Sequence, residues 1–286
     1  MSRSFVVMAP AKINLTLEVL GKRPDGYHEL ASIFATVGLC DRVRVAGARS
    51  LDVRTAPPLD VPAGGDLGSR AVAALARASG REPAAHVRVR KRIPVAAGLG
   101  GGSSDAAAVL RGLARLWRLD GVDLVEVGAR VGSDVPFFCA GAAFARATGR
   151  GETVEPLPAP SSEMWIALVT MQARVATRDV FARQGASRSS GERTTALAKL
   201  LRDRAATVAR LRDLVVNDLT EAATAVAPAI AEARALAAEA GVALSMSGSG
   251  PSLFALGDDR ADALRMARRL RRAGLRARAY PLGVTF

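Results

Sequence analysis

Cysteine and histidine are scarce in this chain of 286 residues: Cys40 and Cys139 form no CxxC pair, and only two histidines accompany them. That excludes a disulfide framework and a Cys/His zinc centre and makes a reducing cytoplasm the expected compartment. No apolar run approaches the roughly 20 residues that span a bilayer, so no membrane partner is expected. Met1 to Pro10 lacks the apolar core of a signal peptide. Aromatic residues make up 4% of the chain and do not interleave with basic ones, which argues against a platform for single strands. The formal net charge of +13 comes mostly from arginines scattered over Ala-rich segments, such as Arg265, Arg268, Arg269, Arg271 and Arg272. We read these as a solvated helix face and expect no nucleic-acid partner.

What the chain does have is glycine, and four glycines fall in the five positions Gly98-Leu-Gly-Gly-Gly102. An alternating run from His86 to Ile93 predicts a strand before them. An Ala/Leu-rich segment to about Trp117 predicts a helix after them. Strand, glycine loop and helix N-terminus make a physical recipe for holding phosphate. Glycine lets the backbone approach a ligand, and the first N–H groups of a helix are unpaired at the positive end of its dipole. Ser103, Ser104 and Asp105 are good N-cap types, and a serine hydroxyl can also reach a phosphate oxygen or a metal. The alternative, a turn that merely caps a packing helix, has no need of so much chain entropy. No Lys follows the glycines as GxxxxGK[ST] requires, and Ser103 stands where GxGxxG needs its third glycine.

Hydrophobic residues form 49% of the chain, enough for one large domain or two ordinary ones. Strands are predicted at 3–8, 12–20, 31–39, 41–47 and 51–55, then a Pro/Gly-rich loop from Ala56 to Gly65 and a helix over 66–79 stopped by Gly80. A helix at 123–131, which Pro136 is expected to stop, precedes strands at about 142–147 and 151–157. Pro156, Pro158 and Pro160 with two serines mark the domain boundary, giving domains 1–158 and 159–286. The second half reads as a strand at 164–171, a helix at 177–184, a polar loop at 185–193, helices at 194–212, 217–226 and 229–240, strands at 242–247 and 252–256, a helix at 259–273 and a strand at 275–280. That is the ferredoxin-like order of an α+β half.

Four further clusters carry polar groups that a core does not need. Lys12 and Asn14 share one face of a strand whose opposite face holds Ile13 and Leu15, by the period of two; a wet amphipathic strand is the alternative. Tyr27 and His28 sit on the turn Pro24-Asp-Gly26, a flat stacking pair suited to a planar heterocycle or an ordinarily packed turn. Asp134, between a helix end and Pro136-Phe-Phe138, suits a base in a partly dry pocket, although helix-terminal aspartates are common. Ser247-Gly-Ser-Gly-Pro251 offers a second anion nest or a plain hairpin turn. Two glycine loops, a lysine and an acid together point to phosphoryl transfer, which needs positioning and charge neutralisation.

Pro10-Ala-Lys-Ile-Asn14, Gly98-Leu-Gly-Gly-Gly-Ser-Ser104 and Ser247-Gly-Ser-Gly-Pro251 resemble, in this order, the three motifs of the GHMP kinases. The stretches Arg23 to Leu30, Ile93 to Ala107 and Gly132 to Phe138 resemble one branch of that family. Its members phosphorylate the 2-hydroxyl of a cytidine diphosphate-linked methylerythritol in non-mevalonate isoprenoid synthesis. The resemblance implies a two-domain α+β fold, with an N-terminal domain like the second domain of ribosomal protein S5 and a ferredoxin-like C-terminal domain. It implies ATP and Mg²⁺ as cofactors, with no protein ligand of the metal assigned, and a monomer or weak homodimer. Lys12 and Asp134 would be the catalytic pair. Asn14, Tyr27, His28 and Phe181 would bind the acceptor. Pro94, Ala96, Ala97, Gly98, Leu99, Gly100, Gly101, Gly102, Ser103 and Ser104 would wrap ATP, and Gly248, Ser249 and Gly250 would shape the cleft. Asp66 stands where the family usually opens its adenine-side helix with Asn, and Cys40-Asp41 replaces an aromatic-Asp pair. A homoserine or mevalonate kinase is the alternative within the family, and a basic nucleic-acid-binding protein the alternative outside it.

Overall fold

A computed structural model describes residues 3–59, 64–185 and 189–285. The chain opens with two long antiparallel strands, β1 (Ser4–Lys22) and β2 (His28–Gly47), joined by the Pro24-Asp-Gly26 turn. The expected pairs of short strands at 3–8 with 12–20, and at 31–39 with 41–47, are thus each one continuous strand. The ladder bends instead of breaking, with register shifts at Pro10/Ala11, Asn14/Thr16 and Val19/Gly21. Bulges of this kind let a long strand curl without giving up its pairing. The polar face of β1 is not wet: Lys12, Asn14, Thr16 and Glu18 are all buried.

Next come β3 (Asp52–Ala56), α1 (Leu67–Ser79), β4 (Ala85–Arg90) and α2 (Gly101–Trp117). The loop expected at 56–65 falls partly, at 60–63, outside the described residues. Asp66 caps α1, its carboxylate accepting from Ser69 N at 2.8 Å and Ser69 Oγ at 2.6 Å. Both oxygens are therefore committed to the helix. Then follow α3 (Leu124–Ala129) and α4 (Val135–Ala140). Pro136 does not stop α3, which has ended by Arg130. It lies in the first turn of α4, where its missing N–H costs no helical bond. Strands β5 (Phe144–Gly149) and β6 (Thr153–Leu157) complete this half.

The second half runs β7 (Met164–Val169), α5 (Thr177–Arg183), α6 (Glu192–Arg202), α7 (Val208–Leu214), β8 (Val216–Asn217), α8 (Thr220–Val226), α9 (Ala229–Glu239), β9 (Ser245–Met246), β10 (Leu253–Gly257), α10 (Arg260–Arg272) and β11 (Ala277–Leu282). The helix expected over 194–212 is two helices, and residues 186–188 of the expected polar loop lie outside the described residues. The strand expected at 242–247 pairs only over two residues. β8, which the sequence does not announce, pairs in parallel with Thr16 and Leu17 of β1.

The strands form one sheet in the order β3-β4-β2-β11-β7-β10-β9, with β1 and β5 also pairing with β2. The halves meet where Leu282 of β11 pairs with Val37 of β2, and one apolar cluster spans both, from Ile13, Leu15 and Ile33 to Ile166, Phe254 and Leu256. A second cluster fastens α1 and α2 to β2 and β4 through Val43, Val45, Val72, Leu75, Val109 and Leu110. The glycine loop leaves β4 over a buried ionic knot. Asp41 of β2 is fully buried, binds Lys91 Nζ, and accepts from the backbone N–H groups of Arg92 and, at 2.9 Å, Ile93. Removing one partner from such a knot leaves desolvated polar groups unpaired. Asp41→Ala is expected to lower unfolding stability by about 3 kcal/mol, read by urea titration.

Candidate active site

β1 aims Lys12 across its neighbours, as the period of two dictates. Its ammonium donates to Asn14 Oδ1 at 2.7 Å, lies 3.3 Å from Asp134 Oδ2 and sits 4.4 Å from the centroid of Phe34. Lys12 is only 4% exposed, while the Asp134 side chain keeps 28% of its surface open. Asp134 is the residue that precedes α4, and the buried Phe137 and Phe138 behind it fix that helix in the core. A carboxylate that faces the opening, with an ammonium behind it, can take up a proton from a bound hydroxyl. Gly151 packs beside this carboxylate, its would-be Cβ 3.5 Å from Asp134 Oδ1.

Two glycine turns meet above this pair. Gly98 has φ +72°, and a Cβ there would lie 2.2 Å from the carbonyl oxygen of Ser247. Ser247 Oγ in turn donates to Gly98 O at 2.9 Å. Gly100 has φ +66° and would press a Cβ onto the Lys12 side chain at 2.9 Å. The residue that precedes α2 is Gly100, in the left-handed region and without a side-chain cap. Ser103, Ser104 and Asp105 are thus inside the helix instead of capping it. Ser104 Oγ and Asp105 Oδ1 are buried and find no hydrogen-bond partner among the described residues. Gly101, Gly102 and Ser103, which open α2, line the cleft, and the first N–H groups of a helix are free to meet an anion. Lys91 Nζ holds the other Asp105 oxygen at 2.6 Å. Burial pushes the Asp105 carboxyl up to about 7, the like charge of Asp41 acting in the same direction and Lys91 against it.

The opposite end of the space is aromatic. His28 stacks on Phe181 of α5, with centroids 5.0 Å apart and planes at 26°. Tyr27 is 55% exposed, and the guanidinium of Arg150 lies 4.8 Å from its centroid. Burial, with the charge of Lys22 nearby, lowers the pKa of His28 below its ordinary value, so the ring is neutral at pH 7 and both donates and accepts. The sequence offers Tyr27 and His28 as faces for a planar heterocycle, and in the structure one face of His28 is covered by Phe181. No base fits between two rings at that spacing, so a base must part them or stack outside.

One cleft of about 1170 Å³ contains both ends. Of the residues that the sequence assigns to catalysis, acceptor, ATP or the cleft turn, all line it except Ser104 and Gly250. Asn14 lines the cleft too, yet both ends of its amide are taken by protein groups, Lys12 and, at 2.8 Å, Ser32. The wall also holds Ser32, Phe34, Lys91, Arg150 and Thr177, which no sequence motif marks, and Asp105, which the sequence marks only as an N-cap type. Arg150 stands between two glycines in Gly149-Arg-Gly151, a turn signal that was available. Ser32 and Phe34 gave none, being part of an ordinary strand. Thr177 Oγ1 meets Ser249 Oγ at 2.9 Å, tying α5 to the β9–β10 turn.

Residues 66–142 match the family described as GHMP kinases N terminal domain, and residues 194–275 match GHMP kinases C terminal. A 4-diphosphocytidyl-2-C-methyl-D-erythritol kinase of Gloeobacter violaceus is 39% identical over 261 residues, 89% of this chain and 86% of that one. Its counterpart in Paramagnetospirillum magneticum is 38% identical over 273 residues, 93% and 94% of the two chains. The chain belongs to the 4-diphosphocytidyl-2-C-methyl-D-erythritol kinase family of GHMP kinases. A crystal structure of a 4-(cytidine 5'-diphospho)-2C-methyl-D-erythritol kinase superposes with a TM-score of 0.78 at 34% identity, covering 98% of this chain and all of that one. The homoserine kinase of Cytophaga hutchinsonii superposes at 0.73 with 17% identity, over 99% and 95% of the two chains, which speaks for the fold alone. The expected α+β fold is therefore the observed one.

Two outcomes follow from this geometry. Gly98→Ala places a methyl inside the Ser247 carbonyl, so the two turns must separate; ADP formation is expected to fall at least about 100-fold, since misplacement by 1 Å costs that much. In the fold Asp105 keeps its proton to about pH 7, against an ordinary value of 3.8. Folding therefore takes up a proton between these values, and stability falls as pH rises through that window and levels off above it. Urea titrations at pH 5 and pH 7.5 should show this fall in the parent protein and a smaller one in Asp105→Asn.

Proposed function

We propose that the protein transfers the γ-phosphoryl group of ATP to the 2-hydroxyl of 4-diphosphocytidyl-2-C-methyl-D-erythritol, a step of non-mevalonate isoprenoid synthesis. The observation that carries this reading is the meeting, in one cleft, of the Lys12–Asp134 pair, the glycine-led start of α2 and the ring cluster around His28. ATP lies with its phosphates along Gly98 to Ser103, where backbone N–H groups and the α2 dipole face them. The acceptor's base lies at Tyr27, His28 and Phe181, which leaves its alcohol end pointing at Asp134. The hydroxyl oxygen attacks the γ-phosphorus, and the bond from that phosphorus to the β,γ-bridging oxygen breaks. The hydroxyl proton passes to Asp134, and ADP leaves. Lys12 stabilises the carboxylate beforehand and the growing negative charge during transfer.

Asp105 Oδ1, an unpartnered oxygen at the start of α2 on a residue of the cleft wall, is a donor of the type Mg²⁺ takes alongside phosphate oxygens. With the Ser103 hydroxyl it would hold the ion, which supplies neutralisation of the phosphate charge when bound. The division of the chain into residues 1–158 and 159–286 belongs to this reading and is supported by the irregular stretch before β7. A cytoplasmic monomer or weak homodimer, with no nucleic-acid partner, completes it.

ADP release should occur with the cytidine compound and not with homoserine or mevalonate, neither of which carries a ring for His28 and Phe181. Lys12→Met and Asp134→Ala should each lower turnover by about 10³-fold or more while each variant still shows a cooperative urea transition and is folded under assay conditions. Release with every acceptor alike would sink the substrate assignment. Full activity in either variant would sink the roles.

A further inference from the structure

The Lys12 ammonium, which meets Asp134 directly at 3.3 Å, is also the end of a chain of bonds that starts on the neighbouring strand. At the Asn14/Thr16 bulge the β1–β2 ladder loses its register, and two hydroxyls take over the vacated backbone groups. Ile33 N donates to Thr16 Oγ1 at 2.9 Å, and Ser32 Oγ donates to Thr16 O. The single hydroxyl proton of Ser32 is thus spent on a carbonyl, so its oxygen can only accept. It accepts from Asn14 Nδ2 at 2.8 Å. That bond decides which way the Asn14 amide faces, because the amide turned over would set oxygen against an oxygen that has no proton to give. With Nδ2 on Ser32, Oδ1 must face Lys12, and it takes the ammonium at 2.7 Å. Turned over, the amide would confront the ammonium with its own NH₂, donor against donor. Ser32 and Asn14 are both nearly sealed from water, so no solvent stands by to replace a lost partner.

We infer that Ser32 is a positioning residue for the phosphoryl transfer: through Asn14 it fixes the Lys12 ammonium against Asp134. It touches neither substrate in the proposed reaction. The inference rests on the reading of Lys12 and Asp134 given above. It assigns the bulge a purpose, since an unbroken ladder would engage the Thr16 carbonyl with Ile33 N and leave the Ser32 proton free to turn towards Asn14.

The test is a set of steady-state measurements on the full chain with ATP and the cytidine acceptor. Ser32→Ala is expected to lower kcat about tenfold, the upper end of what one neutral buried hydrogen bond is worth, with both KM values unchanged. Ser32→Thr keeps the hydroxyl and should restore kcat. In an Asn14→Ala background Ser32→Ala should cost nothing further, because the two residues act in series. If Ser32→Ala does not fold, Ser32→Cys serves in its place, and an intermediate loss of kcat is expected from the weaker acceptor. An unchanged kcat, a change confined to KM, or full additivity with Asn14→Ala would each overturn the inference. Lys12→Met in the same series separates the two readings: its full activity would overturn the role of Lys12 itself, whereas an inactive Lys12→Met beside a fully active Ser32→Ala would overturn only that of Ser32.

Discussion

The backbone of Gly98 touches the backbone of the Ser247–Gly250 turn with no room for a side chain on either surface. The rest of the site hangs from this contact. It brings a loop of the first half against a hairpin of the second, and it is reinforced by Ser247 Oγ, which donates to Gly98 O and receives the N–H of Asn14 at 3.3 Å. From there the constraint spreads. Asn217 Nδ2 holds the carbonyls of Met246 and Gly248, while β8, to which it belongs, lies along β1. Leu99 O accepts from Lys12 N at 2.9 Å, so the glycine loop and the strand that bears the lysine cannot move independently.

This arrangement explains why charge could be placed at depth. The Asp41–Lys91–Asp105 knot and the Lys12–Asn14–Ser32 chain both put ionic groups where water does not reach, and both are satisfied largely by fixed protein partners. Such groups stabilise little by themselves, because desolvation offsets the attraction. What they supply is direction: each fixes one end of the glycine loop or one member of the Lys12–Asp134 pair proposed to react. Preorganised charge of this kind needs no rearrangement when the transition state forms.

Much of this was legible in the sequence, and the reasons are local. Gly98 to Gly102 before an Ala/Leu helix, and Gly80 after α1, are signals written in backbone conformation, which needs no knowledge of distant contacts. The alternation of Lys12, Ile13, Asn14 and Leu15 fixed the shared face, yet a wet strand and a buried catalytic strand read alike, since burial of that face depends on α6 and the β9–β10 turn, far along the chain. β8 escaped because a two-residue pairing has no pattern of its own. The α2 cap was misread because Ser103 and Ser104 are good cap types in isolation, while Gly100 wins through a left-handed φ that the close approach to Lys12 demands. Ser32 was invisible for another reason: its part depends on a bulge, and a bulge is a property of two strands.

The stack of His28 on Phe181 has a consequence for selection. Before any acceptor arrives, the aromatic end of the cleft already satisfies itself, ring on ring. On the proposed reading, a ligand that inserts between the rings must first break this pair, so its apparent affinity scales with the fraction of molecules in which the rings stand apart. A heterocycle recovers the loss by offering its own face to the separated rings, whereas an aliphatic alcohol has nothing to give in exchange. On that reading the closed pair disfavours inserting ligands in general and favours those that carry a flat ring.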